Sequence, residues 1–306
     1  MSLSDDLRNE LSAIAPRKDC DRLAELSGLF HTAGSVHLRG RGELAVQLDV
    51  ASSAVARRAF SSLRDQGVRS EIRTYKRRAF DRSTRYQLHV ACGARALQTL
   101  YEAGVLTRRL APLEHPPRRV VARSCCRSAY MRGALLGAGS LSGPRAPHLE
   151  LRSASVAGAR FLADVARREG ARLGVLDRVR HAAAYAKGID AIADVLAIAG
   201  AGSTVLAFEE AAVLATTRSR ANRLANADHA NLVRTSRASH EQLRAVDTLR
   251  RNGALRTLPP PLREIADLRR RHPTLSLRDL AAKCDPPASK AAAFRRLRKL
   301  RQLAGL

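Results

Sequence analysis

Residues 26–36 read LSGLFHTAGSV and residues 131–141 read MRGALLGAGSL. Each stretch is apolar and helix-like, ends in Ala-Gly-Ser, and leads into residues of strand character. The spacing is shared: Gly28 precedes Gly34-Ser35 as Gly133 precedes Gly139-Ser140. Similarity at so long a period organises a chain as a structural repeat. Small residues at Gly28 and Gly133 suit two helices whose backbones approach closely.

Outward from the first stretch, the helix ends at Thr32 and Ser35–Leu38 starts a strand. A polar turn, Arg39-Gly40-Arg41-Gly42, follows. Leu44, Val46, Leu48 and Val50 then alternate with polar or small residues, the mark of a strand with one buried face, so the piece reads as a hairpin. Ser53 is the expected cap of a helix over 54–66 that buries Val55, Ala59 and Leu63 and stops at Gly67. Strands fit 69–75 and 85–91, and a helix from Arg95 to Ala103 ends at Gly104. The second copy repeats the order, with a strand at His148–Arg152, a helix at Ser155–Glu169 closed by Gly170, two strands within 172–187, and a helix at Ile189–Ala199 stopped by Gly200. Residues 111–119, APLEHPPRR, link the copies as an extended surface segment.

This doubled αββαββα order resembles the LAGLIDADG homing endonucleases, whose signature helices pair about a pseudo-two-fold axis. The resemblance implies a metal-holding acid immediately before the last Gly of each signature. Those positions are Ala33 and Ala138, so the scaffold lacks the expected acids. Glu43, Asp49 and Glu150 lie near in sequence and are the candidates for relocated ligands; the plainer reading of each is a solvated strand residue. His31 occupies a position where the signature often has Asp, and reads as structural.

The chain has 306 residues, room for about two domains. No apolar run approaches the roughly 18 residues of a membrane span. The start, MSLSDDLRNELSAIAP, reads as a helix capped by Ser4 rather than a secretory signal. Cys20, Cys92, Cys125, Cys126 and Cys284 are odd in number and form no C-x-x-C pair, which argues against a disulfide framework or a zinc module. They read as small apolar residues in a reducing cytoplasm. The nine histidines form no H-x-x-x-H pair, and no metal or cofactor is expected.

The net charge of +26 points to a polyanionic partner, although Arg-rich composition also accompanies GC-rich coding. The charge is densest at the end of the chain. Residues 218–306 hold 21 Lys and Arg against 7 Asp and Glu, while residues 1–217 hold 33 against 21.

From Thr216 to Arg251 the sequence is helical, with Leu232, Leu243, Val246 and Leu249 as candidate buried positions. After Asn252-Gly253 and Pro259-Pro260-Pro261, three helices are expected. The first, about 261–271, buries Leu262, Ile265 and Leu268. The second, Leu277–Lys283, has Ser276 as cap with Asp279 at its third position, and Leu280 and Ala281 facing inward. Asp285-Pro286-Pro287 breaks it. The third begins at Ser289 and runs to about Leu303, with Ala293, Leu297, Leu300 and Ala304 on the core face. Ala291, Arg295, Arg298 and Lys299 fall on the far face, and Phe294 beside the core. Two helices joined by such a turn are the geometry of a major-groove reader. Ser289, Lys290, Ala291, Arg295, Arg298 and Lys299 are therefore the expected DNA-contacting set; Ser276, Leu277, Leu280, Ala281, Ala293, Leu297 and Leu300 support it.

A degenerate LAGLIDADG pair followed by a helix-turn-helix resembles the bacterial WhiA family of transcription regulators. NADHANLVRTSRAS (226–239) and LPPPLREIADLRRRHPTLSLRDLAAKCDPPASKAAAFRRLRKL (258–300) carry that resemblance. It implies a non-catalytic, sequence-specific DNA-binding protein of the cytoplasm, associated with the nucleoid. It also implies roles in sporulation, cell division and chromosome segregation, with promoter DNA as partner and room for another transcription regulator. The family pattern places Asn-His before the Arg-Leu-Arg of the third helix, where this chain has Phe294-Arg295, so a target sequence different from that of relatives is the expectation. The expected fold is α+β: an N-terminal helix (1–20), repeat one (21–111), a linker (112–119), repeat two (120–217) and an all-α domain (218–306). An active nuclease with relocated acids and a basic RNA- or ribosome-associated protein are the competing readings.

Overall fold

The computed structural model describes residues 2–38, 44–76, 83–179 and 181–306. Glu43 and the Arg39–Gly42 turn lie outside the described residues. The chain forms two compact units, Met1–Thr216 and Thr217–Leu306.

The first unit opens with α1 (Leu3–Ala13). Its cap is Ser2, not Ser4: the Ser2 hydroxyl accepts the Asp5 amide at 3.2 Å. Ser4 lies one step into the helix, and its hydroxyl instead accepts the Leu141 amide at 2.8 Å. The first repeat follows as α2 (Asp19–Ala33), β1 (Gly34–Leu38), β2 (Leu44–Val50), α3 (Ser53–Asp65), β3 (Ser70–Lys76), β4 (Thr84–Val90) and α4 (Ala94–Glu102). Ser52, not Ser53, caps α3, because its hydroxyl reaches the Ala54 amide. The second repeat is α5 (Ser124–Ala138), β5 (Gly139–Leu141), β6 (His148–Ser153), α6 (Val156–Arg168), β7 (Gly174–Arg178), β8 (His181–Lys187) and α7 (Ile189–Ala199).

Each repeat makes an antiparallel four-stranded sheet, ordered β1-β2-β4-β3 and β5-β6-β8-β7. Alternation sets the faces. Val46, Leu48, Val50, Leu88 and Val90 point into the core, as do Leu149 and Leu151 in the second sheet. Between the sheets' inner faces run α2 and α5, whose middles are buried almost all round. Their contact needs glycine. A Cβ on Gly28 would stand 2.2 Å from the Tyr130 carbonyl oxygen, and one on Gly133 would stand 2.1 Å from that of Glu25.

Helix α8 (Gly202–Arg251) starts earlier than the sequence pattern suggests. Its first amides are held by Glu10 of α1, whose carboxylate accepts Ser203 N and Thr204 N at 2.7 Å each. A carboxylate there also answers the helix dipole.

The second unit comprises the later part of α8, α9 (Pro260–Arg271), α10 (Leu277–Ala282) and α11 (Lys290–Leu303). Its core joins Val246, Leu249, Ile265, Ala266, Leu280, Ala281, Cys284, Ala293, Leu297 and Leu300, with Leu262, Leu268, Leu277 and Ala304 at its edge. Leu232 is not part of it: at 68% exposure it lies on a stretch of α8 with no buried neighbour.

Candidate nucleic-acid interface

The turn from α9 to α10 is built around a buried arginine. Arg269 is 2% exposed, and its Nη1 donates to the carbonyls of Leu275 (2.7 Å), Pro273 (3.3 Å) and His272 (3.4 Å). One guanidinium thereby satisfies three carbonyls of the turn, which no helix ladder pairs. Ser239 of α8 also donates its hydroxyl to the Pro273 carbonyl. Helix α10 begins at Ser276, whose hydroxyl accepts the Asp279 amide at 3.2 Å and donates to the Asp279 carboxylate at 2.7 Å. The Ala288 amide donates to the Ala281 carbonyl at 2.9 Å and closes the next turn. Ser289 then caps α11 by accepting the Ala292 amide at 3.2 Å. Leu280 and Ala281 of α10 meet Ala293, Leu297 and Leu300 of α11 in the core.

This packing fixes which side of α11 faces outward. Ser289, Lys290, Ala291, Arg295, Arg298 and Lys299 are all exposed. Phe294 joins them: it is 51% exposed and absent from the core, which corrects the expectation that it packs inward. Residues 291, 294, 295 and 298 fall on one helical face because they are three or four apart. The cations of α11 divide by face. Arg296 pairs with Glu264 of α9 at 3.7 Å and Arg301 with Glu241 of α8 at 2.9 Å. Among the described residues, Arg295, Arg298 and Lys299 have no acidic partner within ion-pair distance. Beside the start of α11, Arg234, Arg278 and Lys290 line a groove of about 310 Å³ that also contains Ser276.

In the first unit, Ala33 and Ala138 are the last residues of α2 and α5, the positions where the nuclease signature has its acids. Neither offers a metal ligand. The neighbouring acids are engaged by cations. Asp49 is held by Arg85 at 2.8 Å and by the Tyr75 hydroxyl. Glu150 lies 3.2 Å from Arg178, 3.5 Å from His148 and 3.8 Å from His181. His31 donates from Nδ1 to the Ser27 carbonyl at 2.8 Å, and burial pushes its pKa down to about 4. It is therefore a neutral, structural imidazole.

One cluster escaped the sequence reading. Cys20 and Asp21, at the start of α2, meet Cys125 and Cys126, at the start of α5. The four are about a hundred residues apart in two pairs, each helix contributing only two adjacent residues, so no ligand spacing marks them in the sequence. The fold thus gathers three of the five cysteines, read from the sequence as small apolar residues, into one cluster.

Family models match the chain in three consecutive segments. They are the WhiA N-terminal LAGLIDADG-like domain over residues 19–106, the WhiA LAGLIDADG-like domain over 127–218, and the WhiA C-terminal HTH domain over 221–304. A protein of Heliobacterium modesticaldum named "Probable cell division protein WhiA" is 33% identical, with 99% of this chain and 96% of that protein aligned. Its namesake in Desulforudis audaxviator is 36% identical over 99% and 97%. The fold is similar to full-length DUF199/WhiA from Thermatoga maritima, with a TM-score of 0.58, 20% identity, and coverage of 100% of this chain and 98% of that one. With paired LAGLIDADG-like repeats, alanine at both signature acid positions and a C-terminal helix-turn-helix, the chain belongs to the WhiA family.

Proposed function

We propose that this protein is a non-catalytic, sequence-specific DNA-binding transcription regulator that reads its site with α11. The observation that carries this reading is the division of cations on that helix. Arg296 and Arg301 are spent on internal carboxylates, whereas Arg295, Arg298 and Lys299 face outward unneutralised. A structural role would not need the second set; a polyanion would.

In this reading α11 enters the major groove. Arg295 and Arg298 offer bidentate bonds to guanine, while Lys299 and Lys290 meet phosphate. Ala291 allows close approach at the start of the helix, and Phe294 supplies an apolar contact of the kind that meets a thymine methyl. Ser289 presents the capped N-terminus of α11 to a phosphate, and the Arg234/Arg278/Lys290 groove extends that contact. Ser276, Leu277, Leu280, Ala281, Ala293, Leu297 and Leu300 hold the reading helix in place.

The repeat unit contributes basic surface and architecture, not chemistry. Metal-assisted strand cleavage needs carboxylates to hold the ion and place the attacking water. Alanine occupies both signature positions, and Asp49 and Glu150 are tied to cations. Relatives named as probable cell division proteins support a role in cell division. The proposal extends this to sporulation and chromosome segregation, exerted at promoters on the nucleoid and together with another regulator. Among the described residues no helix is long and apolar enough to cross a membrane, which fits this assignment.

Selection of genomic fragments by the full chain tests the proposal. Enrichment of a common short site upstream of genes supports it. Equal retention of all DNA, or equal affinity for RNA at physiological salt, contradicts it. Plasmid incubated with the protein and Mg²⁺ or Mn²⁺ stays intact in this account; cleavage abolished by Glu150→Gln would restore the nuclease.

A further inference from the structure

The two signature helices begin, as well as cross, as a matched pair. Cys20 and Asp21 are the second and third residues of α2; Cys125 and Cys126 are the second and third residues of α5. Each pair lies eight and seven residues before the glycine at which the helices touch, Gly28 in one and Gly133 in the other. The pseudo-two-fold relation that equates those glycines therefore equates Cys20 with Cys125 and Asp21 with Cys126. It brings all four side chains to one point, at the opposite end of the helix pair from Ala33 and Ala138. The three sulfurs and one carboxylate oxygen all lie within 4.8 Å of one another, and the Cys125 and Cys126 sulfurs are 4.0 Å apart.

We propose that Cys20, Asp21, Cys125 and Cys126 form a four-ligand site for a thiophilic divalent cation, zinc above all, that pins the two repeats together. Four donors match the closed tetrahedral shell of a structural zinc. With Zn–S bonds near 2.3 Å, tetrahedral sulfurs stand about 3.8 Å apart. The observed spread exceeds that by at most about an ångström, so small side-chain rotations close the shell. Three thiolates with one carboxylate select zinc over the hard cations Mg²⁺ and Ca²⁺, which take oxygen shells.

The surroundings suit an anionic ligand set. Neither helix has a side-chain cap: Lys18 and Arg123, the capping residues, make no side-chain bond to the first turn. The positive ends of both helices, which no capping side chain answers, thus converge where three thiolates and a carboxylate would gather negative charge. Cys126 is buried and the other three are half-buried, so the site is sheltered yet reachable. Metal uptake exchanges the three thiol protons for the cation and involves no redox step. This site is independent of the DNA-reading assignment above.

The test uses the full chain, purified under reducing, metal-replete conditions. Elemental analysis is expected to find one zinc per chain. Replacement by Co²⁺ is expected to produce the visible ligand-field bands and sulfur-to-cobalt charge transfer of a tetrahedral thiolate site. Cys20→Ser and Cys125→Ser should abolish the bands and Asp21→Asn should weaken them, whereas Cys284→Ser, in the other unit, should leave them intact. A chelator should lower the melting temperature of the wild type and leave that of Cys20→Ser unmoved. If Cys126→Ser fails to fold, the half-buried Cys125 and Asp21 variants still decide the matter. Wild-type protein without stoichiometric zinc or cobalt bands, bands that survive Cys20→Ser, or a disulfide joining Cys20 to Cys125 or Cys126 under reducing isolation would overturn the site.

Discussion

Glu25 of α2, fully buried, accepts the guanidinium Nε of Arg132 of α5 at 2.7 Å, and its other oxygen accepts Arg58 of α3 at 2.8 Å. This ion triad crosses from one repeat to the other. It also breaks their symmetry, since the repeat-equivalent positions are Tyr130 and Ser27. Removing one member leaves the others charged and desolvated. Glu25→Ala is therefore expected to cost about 3–5 kcal/mol, read as a drop in the urea midpoint of the first unit. Replacing Glu25, Arg58 and Arg132 together by apolar residues of similar size should recover most of that loss. An unchanged midpoint for Glu25→Ala would show that the triad is solvated.

The glycine contact between the same helices predicts a second outcome. In Gly133→Ala the new methyl would lie 2.1 Å from a backbone oxygen, so α2 and α5 must separate. The expected cost is about 3 kcal/mol, at the upper end of overpacking penalties. Gly202→Ala is the control: nothing stands within 4 Å of its Cβ, and stability should hold. Calorimetry of both variants checks the contrast.

His31 makes stability depend on pH. Burial holds its folded pKa near 4, below the ordinary 6.5. As pH falls, the unfolded chain takes up this proton first. The contribution is therefore complete above pH 6.5 and lost progressively as pH falls toward 4. Its size is up to about 3 kcal/mol. In His31→Gln that component should vanish, so the wild-type and variant unfolding curves should converge on acidification. A constant gap between pH 7 and pH 5 would contradict the burial.

Much of this architecture is visible in the residues. The paired Gly-x5-Gly-Ser stretches lead to α2 and α5, and period-2 alternation marks β2. The Pro-Pro break separates α10 from α11, since a missing amide donor stops a helix locally. What depends on distant partners is not visible. Ser2 and Ser52 compete with Ser4 and Ser53 as caps, and only the approach of Leu141 shows why Ser4 is used elsewhere. The start of α8 depends on Glu10, almost two hundred residues away in sequence. Phe294 and Leu232 are apolar and stay exposed, because burial needs a facing surface and none of the described residues supplies one. The Cys20–Asp21–Cys125–Cys126 cluster is legible only once the two helices are known to start side by side.

In the proposed function the outward cations of α11 read DNA. The most direct measurement compares wild type, Arg295→Ala and Lys299→Ala on a selected genomic site and on random duplex of equal length, across a salt series. Arg295→Ala is expected to lose about 1–3 kcal/mol on the selected site and little on random DNA, so preference collapses. Lys299→Ala should weaken both alike and reduce the salt slope by about 1. If Arg295→Ala binds both duplexes as the wild type does, α11 is not the reading helix.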